Sequence, residues 1–370
     1  MTIRSIEAIP IAIRETTERE VGYGKISVRR NVIVLIHDDS GVSGVAETAP
    51  IPIRWGCEET QETIVSTIQN YMAPLLVGED PTRCNFLMDR IHDRVGDLPY
   101  ASTGVGDALL DLSARLAGVP LYRLIGGKRR DSIPAGWSVS IKPEAEMAAE
   151  AAKAVSLGYQ WIKVKIGKNP RQDSRRLSAI REAIGEDVAI HIDMNGQYSY
   201  LDALEILPQM ELCRPRLIEQ PVAGWDIRSM KSLRMKLKTP LMADESCRSY
   251  RDLQNLIAND AADAIVLKLA KHGGIRETQK IADLAASYGM MMYPSIHYST
   301  SIGVSASAHF YATIPNITPG SFHQGAALFE HDLIKITPEA EKGYFPIPEG
   351  IGIGLTIDPE LLERARADKK

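Results

Sequence analysis

The strongest constraint on this chain is a spacing. From about residue 132, short apolar runs alternate with helical segments. The runs cover 133–139, 161–166, 188–193, 216–219, 240–244, 263–268, 289–294 and 316–322. The last residues of the six central runs, Lys165, Asp193, Glu219, Asp244, Lys268 and Tyr293, are separated by 28, 26, 25, 24 and 25 positions. Strands alternating with helices form parallel βα units. Eight of them in so short a stretch fit a TIM-like βα barrel better than a doubly wound sheet, with one βα unit degenerate.

The opening of the chain follows a different grammar. Residues 1–13 and 32–36 read as strands, with a polar, Gly-containing loop at 15–30 between them. Val42–Glu47 continues an antiparallel meander. Helical periodicity then runs over 58–75, 82–95 and 103–117. Strands first and helices afterwards predict an α+β domain over 1–125, with the barrel over 126–330. The tail, 331–370, is Pro/Gly-rich at 345–354 and is expected to return to the first domain.

Composition removes several function classes. Forty-three basic and forty-seven acidic residues give a net charge of −4. Without clustered Lys and Arg there is no electrostatic footprint for nucleic acid. No segment reaches the roughly 18 apolar residues of a membrane span. Cys57, Cys84, Cys213 and Cys247 form no CxxC pair, which argues against a zinc or redox site and for a reducing, cytoplasmic compartment. Gly22-x-Gly24 lacks the rest of a dinucleotide fingerprint, and no GxxxxGK[ST] occurs.

What ends the strands carries the chemistry. In order they finish in Lys163-Val-Lys165, Asp193-Met-Asn195, Glu219-Gln-Pro221, Asp244-Glu245-Ser246 and Lys268. A single charged residue after a strand ordinarily caps the next helix or faces water. Five strands in register point instead to the catalytic end of a barrel. Three neighbouring carboxylates repel one another unless a cation holds them, and oxygen-only ligands favour Mg²⁺ before Mn²⁺ or Ca²⁺. The metal-coordinating set is Asp193, Glu219 and Asp244, with Glu245 competing for the third place. Neighbouring strand residues face opposite ways, so one of that pair is expected to point in. Asn195 shares a face with Asp193.

Lys163 and Lys165 also share a face, and two ammonium groups held close should push one pKa toward neutrality. Lys268 approaches from the far side. Opposed lysines with a cation between them suit removal of a proton α to a carboxylate, through an enolate that the metal stabilises. The bland reading of the same lysines is simple pairing with the carboxylates.

These motifs resemble the enolase superfamily, in particular its muconate lactonizing (muconate cycloisomerase-like) subgroup. The match rests on KVK at 163–165, DMN at 193–195, EQP at 219–221, ADES at 243–246 and KLAKHGG at 268–274, with Gly106–Leu112 running to Gly127. It spans nearly the whole chain. It implies a modified (β/α)7β barrel under an α+β capping domain completed by the C-terminal tail. It implies Lys165 as base, Lys163 as its electrostatic partner and Lys268 as the opposing acid or base. Mg²⁺ on Asp193, Glu219 and Asp244, and a homo-oligomer, are also implied.

The substrate this resemblance implies is a small-molecule carboxylate. Cycloisomerisation of a muconate-like diacid heads the readings. Racemisation or epimerisation of an amino-acid derivative, dehydration of a hydroxy acid, and a non-catalytic carboxylate-binding relative are the alternatives. At the eighth strand, Phe322-His323-Gln324 lacks the D-x-D of dipeptide epimerases and the Glu expected of muconate lactonizing enzymes. Substrate contacts are expected from Asn195, His297 and Phe322, and from Tyr23, Arg54 and Trp55 on loops 15–30 and 48–58. Packing between domains is the alternative role for Tyr23 and Trp55. His191, deeper on the face of Asp193, is expected to be structural.

Overall fold

The structure, a computed structural model, describes all residues except 22–23, 52–56, 325–327 and 370. Its N-terminal part is an antiparallel sheet of β1 (Ile3–Val21), β2 (Gly24–Asp38) and β3 (Ser43–Thr48). Helices follow at Gln61–Thr67, Cys84–Val95 and Pro99–Leu116, the first continuing through a π-helical turn at Ile68–Met72. One expectation is corrected here. Residues 15–30 are largely strand, the outer half of a long β1–β2 hairpin with a register shift between Arg14 and Arg19. The charges that suggested a loop pair across the hairpin: Arg29 Nε with Glu15 Oε1 at 2.5 Å and Lys25 Nζ with Glu18 Oε1 at 3.0 Å.

After β4 (Ser132–Pro134), which lies outside the barrel sheet, the barrel strands are β5 (Trp137–Val139), β6 (Trp161–Lys165), β7 (Ala189–Asp193), β8 (Leu217–Glu219), β9 (Leu241–Ala243), β10 (Ala264–Leu267) and β11 (Met291–Pro294). β5 to β11 form one parallel seven-stranded sheet in sequence order. The predicted eighth strand is reduced to single bridges, Ile317 to Met292 on one side and Gly320 to Ala135 on the other, and these close the ring. Gly320 is required there: a Cβ would stand 2.1 Å from the Pro294 carbonyl oxygen. Most apolar strand residues are buried, as expected of a sheet covered on both faces, with Trp137, Trp161, Ala189 and Met291 at the strand starts partly exposed.

The C-terminal segment returns to the start of the chain. β12 (Tyr344–Pro346) pairs with β4, Arg366 bridges Ile11, and the Ala367 N–H donates to the Pro10 carbonyl at 2.9 Å.

The two parts also meet at the helix Pro99–Leu116. Its Asp107 is buried and accepts the Ile275 N–H at 2.7 Å, at the start of the helix Ile275–Ser287. Burial raises this carboxyl to about 7. The folded chain therefore keeps its proton after the unfolded chain, near pH 4, has lost it. The stability tied to Asp107 falls as pH rises through that window, by on the order of 4 kcal/mol in full. Asp107→Asn keeps the acceptor without the charge. It should melt well above the parent at pH 8 and close to it at pH 4, and a gain equal at both pH values would contradict the assignment.

Candidate active site

Parallel register brings the charged strand ends together. Lys165 stands beside Asp193, and Asp193 beside Glu219, as direct ladder partners. Lys163 Nζ bridges two acids, at 2.5 Å from Glu219 Oε2 and 2.9 Å from Asp193 Oδ2. Lys165 Nζ is bonded to Asp193 Oδ2 and lies 3.1 Å from Asn195 Oδ1. Across the ring, Lys268 Nζ is 2.5 Å from Asp244 Oδ2. Asp193, Glu219 and Asp244 are wholly buried.

Lys163, Lys165, Asn195, Lys268 and His297 line one small cavity, together with Ile51, Ser138, Ser295, Ile296, Tyr298 and Ser321. Its wall away from the acids thus carries hydroxyls and an imidazole, and no carboxylate lines it among the described residues.

The electrostatics differ from expectation at the lysines. Burial pushes Lys163 down, but Asp193 and Glu219 outweigh it and hold the ammonium well above the usual lysine range. Burial, the largest effect, and the Lys163 charge lower Lys165, but Asp193, with Glu219 and Tyr298, raises it, and the net shift is upward. Two lysines side by side lower a pKa only when acids do not outnumber them. Asp193 behaves reciprocally: burial raises it, and Lys163 and Lys165 hold it far below the carboxylate range.

Asp244 and Glu245 supply another correction. Only one was expected to face the site, yet Glu245 Oε1 accepts from Asn195 Nδ2 at 3.2 Å while Asp244 meets Lys268. Both follow the last residue of β9, so strand alternation does not govern them. Asn195 has φ +48°, which turns its own N–H onto Asp193 Oδ1 at 2.8 Å.

Phe322, expected to contact substrate, does not line this cavity. It is fully buried and meets the rings of Tyr311 and Phe345 edge-on, each at 5.3 Å. Its neighbour Ser321 takes the cavity position. His297 does line the cavity, and the ring of Tyr100 stacks on it at 5.8 Å. His191 is buried with Nε2 2.6 Å from Glu219 Oε2, and burial lowers its pKa. Tyr23, Arg54 and Trp55 lie outside the described residues.

Sequence reasoning missed Lys271, Gln220 and Tyr100. Lys271 donates to Asp244 Oδ1 at 2.9 Å, to the Asp244 carbonyl at 2.9 Å and to the Val266 carbonyl at 3.0 Å. It stands in the KLAKHGG motif, and Gln220 stands in EQP, so position beside a motif residue was the available signal. Tyr100 had none.

Among the described residues no group of three acid, histidine or cysteine side chains is gathered as a metal site; Lys163 bridges Asp193 and Glu219. The donor chemistry nevertheless fits a hard divalent ion: three buried carboxylates on consecutive strand ends, with Glu219 Oε1 buried and making no hydrogen bond.

Lysines and acids facing one another at the mouth of a parallel barrel, beside a separate α+β domain, define an enzyme of the barrel class. Comparison with known proteins makes this specific. The model for the enolase C-terminal domain-like family matches residues 146–361, and that for the mandelate racemase / muconate lactonizing enzyme N-terminal domain matches 9–126. The chain belongs to this family, as an enolase-superfamily isomerase of the muconate-lactonizing-like subgroup.

It is 29% identical to a chloromuconate cycloisomerase of Cupriavidus pinatubonensis over 92% of each chain. It is also 29% identical to an N-succinyl-L-Arg/Lys racemase of Bacillus cereus, over 98% of this chain and 97% of that one. The crystal structure of 2-chloromuconate cycloisomerase from Rhodococcus opacus superposes with a TM-score of 0.95 at 28% identity, covering all of both chains. Among the described residues no helix is long and apolar enough to cross a membrane.

Proposed function

We propose that the enzyme transfers a proton at the carbon next to a substrate carboxylate, as a muconate cycloisomerase-like isomerase. The observation that carries this reading is the presence of Lys165 and Lys268 on one cavity, from strands four apart in an eight-membered ring. A substrate between them meets an ammonium or amine on each face.

Lys165 Nζ removes or delivers the proton on one face, oriented by Asn195 Oδ1. Lys268 Nζ serves the other face, or in cycloisomerisation supplies positive charge there. Lys163 adds a fixed charge beside the reacting carbon. Asp193, Glu219 and Asp244 would hold a divalent cation, Mg²⁺ or Mn²⁺. When bound, it supplies positive charge to the substrate carboxylate and acidifies the neighbouring carbon. Ser138, Ser295, Ser321 and His297 suit a second carboxylate or an amide of the substrate.

A second reading, racemisation of an amino-acid derivative, is favoured by the same opposed lysines and by the racemase relative. The uncharged distal wall then selects an acylated nitrogen over a free ammonium. The experiment is a product assay by NMR over muconates, N-acyl amino acids, dipeptides and hydroxy acids with Mg²⁺. Lactone formation supports the first reading and inversion of an N-acyl amino acid the second. Turnover of free-amine dipeptides alone would overturn both.

A further inference from the structure

We infer that Gln220 is a positioning residue that sets the relative placement of the three candidate cation ligands, an inference that rests on the cation reading above. Gln220 follows Glu219 directly, is fully buried, and uses every polar atom it has. Its N–H donates to the Met242 carbonyl at 2.9 Å and its carbonyl accepts the Gly196 N–H at 2.7 Å. Its side-chain oxygen accepts the N–H groups of Asp244 and Ser246, both at 3.0 Å. Its side-chain nitrogen donates to the Val222 carbonyl at 2.9 Å and to Ser246 Oγ at 2.8 Å. One residue thereby ties the turn after Asp193, the end of β8 at Glu219 and the turn carrying Asp244.

Its backbone gives an independent sign. Gln220 has φ +38°, a left-handed conformation that side chains with a Cβ rarely adopt. Such strain persists where surrounding contacts over-determine it, and it clusters at functional sites. The bonds to Asp244 N–H and Ser246 N–H run across from β8 to the turn after β9, where strand pairing has ended: the last β8–β9 pair is Glu219 with Met242. Beyond that pair the β8–β9 ladder does not hold Asp244; the Gln220 amide holds its N–H, while Lys271 and Lys268 meet its oxygens. Being neutral, Gln220 shapes the site without altering its charge. Partners of this kind typically contribute ten- to a hundredfold to metal affinity.

The test uses Mn²⁺ alone as probe, titrated into the metal-free full-length protein and followed by electron paramagnetic resonance without substrate. Wild type should bind one Mn²⁺ that Glu219→Gln abolishes; failure of that control sinks the cation reading itself, whatever Gln220 does. Gln220→Met keeps the volume and loses the side-chain bonds. It should weaken Mn²⁺ binding at least tenfold while the circular dichroism of the metal-free protein is unchanged.

Wild-type affinity in Gln220→Met overturns the inference. Should Gln220→Met not fold, Gln220→Asn takes its place, tolerating the left-handed backbone but one methylene short of Asp244. Failure of both to fold would assign Gln220 to the fold and overturn its role at the site.

Discussion

Lys165→Met is expected to lower turnover by about three orders of magnitude or more and to leave the protein folded. Positioned acid–base groups contribute roughly 10² to 10⁴ in rate, and Lys165 is the group that reaches the cavity beside Asn195. The fold tolerates the change because Asp193 keeps other partners: Lys163 Nζ at 2.9 Å and the Asn195 N–H at 2.8 Å. Steady-state rates and a thermal melt on the same preparation check both halves. The pKa directions add a condition. Asp193 holds Lys165 protonated, so chelating the cation should silence the enzyme at neutral pH even with every lysine present.

Asp244→Ala has the largest expected effect on stability. Asp244 faces Lys268 and Lys271 together, all three side chains being buried. Removing one partner of a buried ion pair ordinarily costs about 3–5 kcal/mol, because the remaining charge stays buried. Urea unfolding of the metal-free variant should show a loss of that order. Adding Lys271→Met should recover part of it, since the second change removes one of the stranded charges. A loss under about 1 kcal/mol would mean that water or other groups compensate these lysines.

Much of the barrel and its chemistry was legible because both follow from short-range rules. An even strand–helix spacing fixes parallel units, and parallel register then places Lys165, Asp193 and Glu219 side by side. The hairpin at 15–30 was not legible, because Arg29 and Glu15 read as solvated charges until a partner strand pairs them. Phe322 failed for a related reason. Which of two neighbours enters the cavity depends on how the degenerate eighth strand is rotated, and only single bridges define it.

The lysine pKa directions were misjudged because sequence shows that Lys163 and Lys165 are neighbours but not that buried acids surround both. Lys271 and Gln220 were visible as letters in motifs. Their roles depend on bonds across strands to Asp244, which no periodicity encodes.

The most direct test of the central claim is deuterium incorporation. The enzyme is incubated in D₂O with Mg²⁺ and the substrate that the product assay identifies, and the carbon next to the carboxylate is read by NMR. Lys165→Met and Lys268→Met are run alongside. The account predicts deuterium at that carbon with wild type, dependent on the cation and lost in Lys165→Met. Product formed without deuterium there, or incorporation undiminished in both variants, would contradict it.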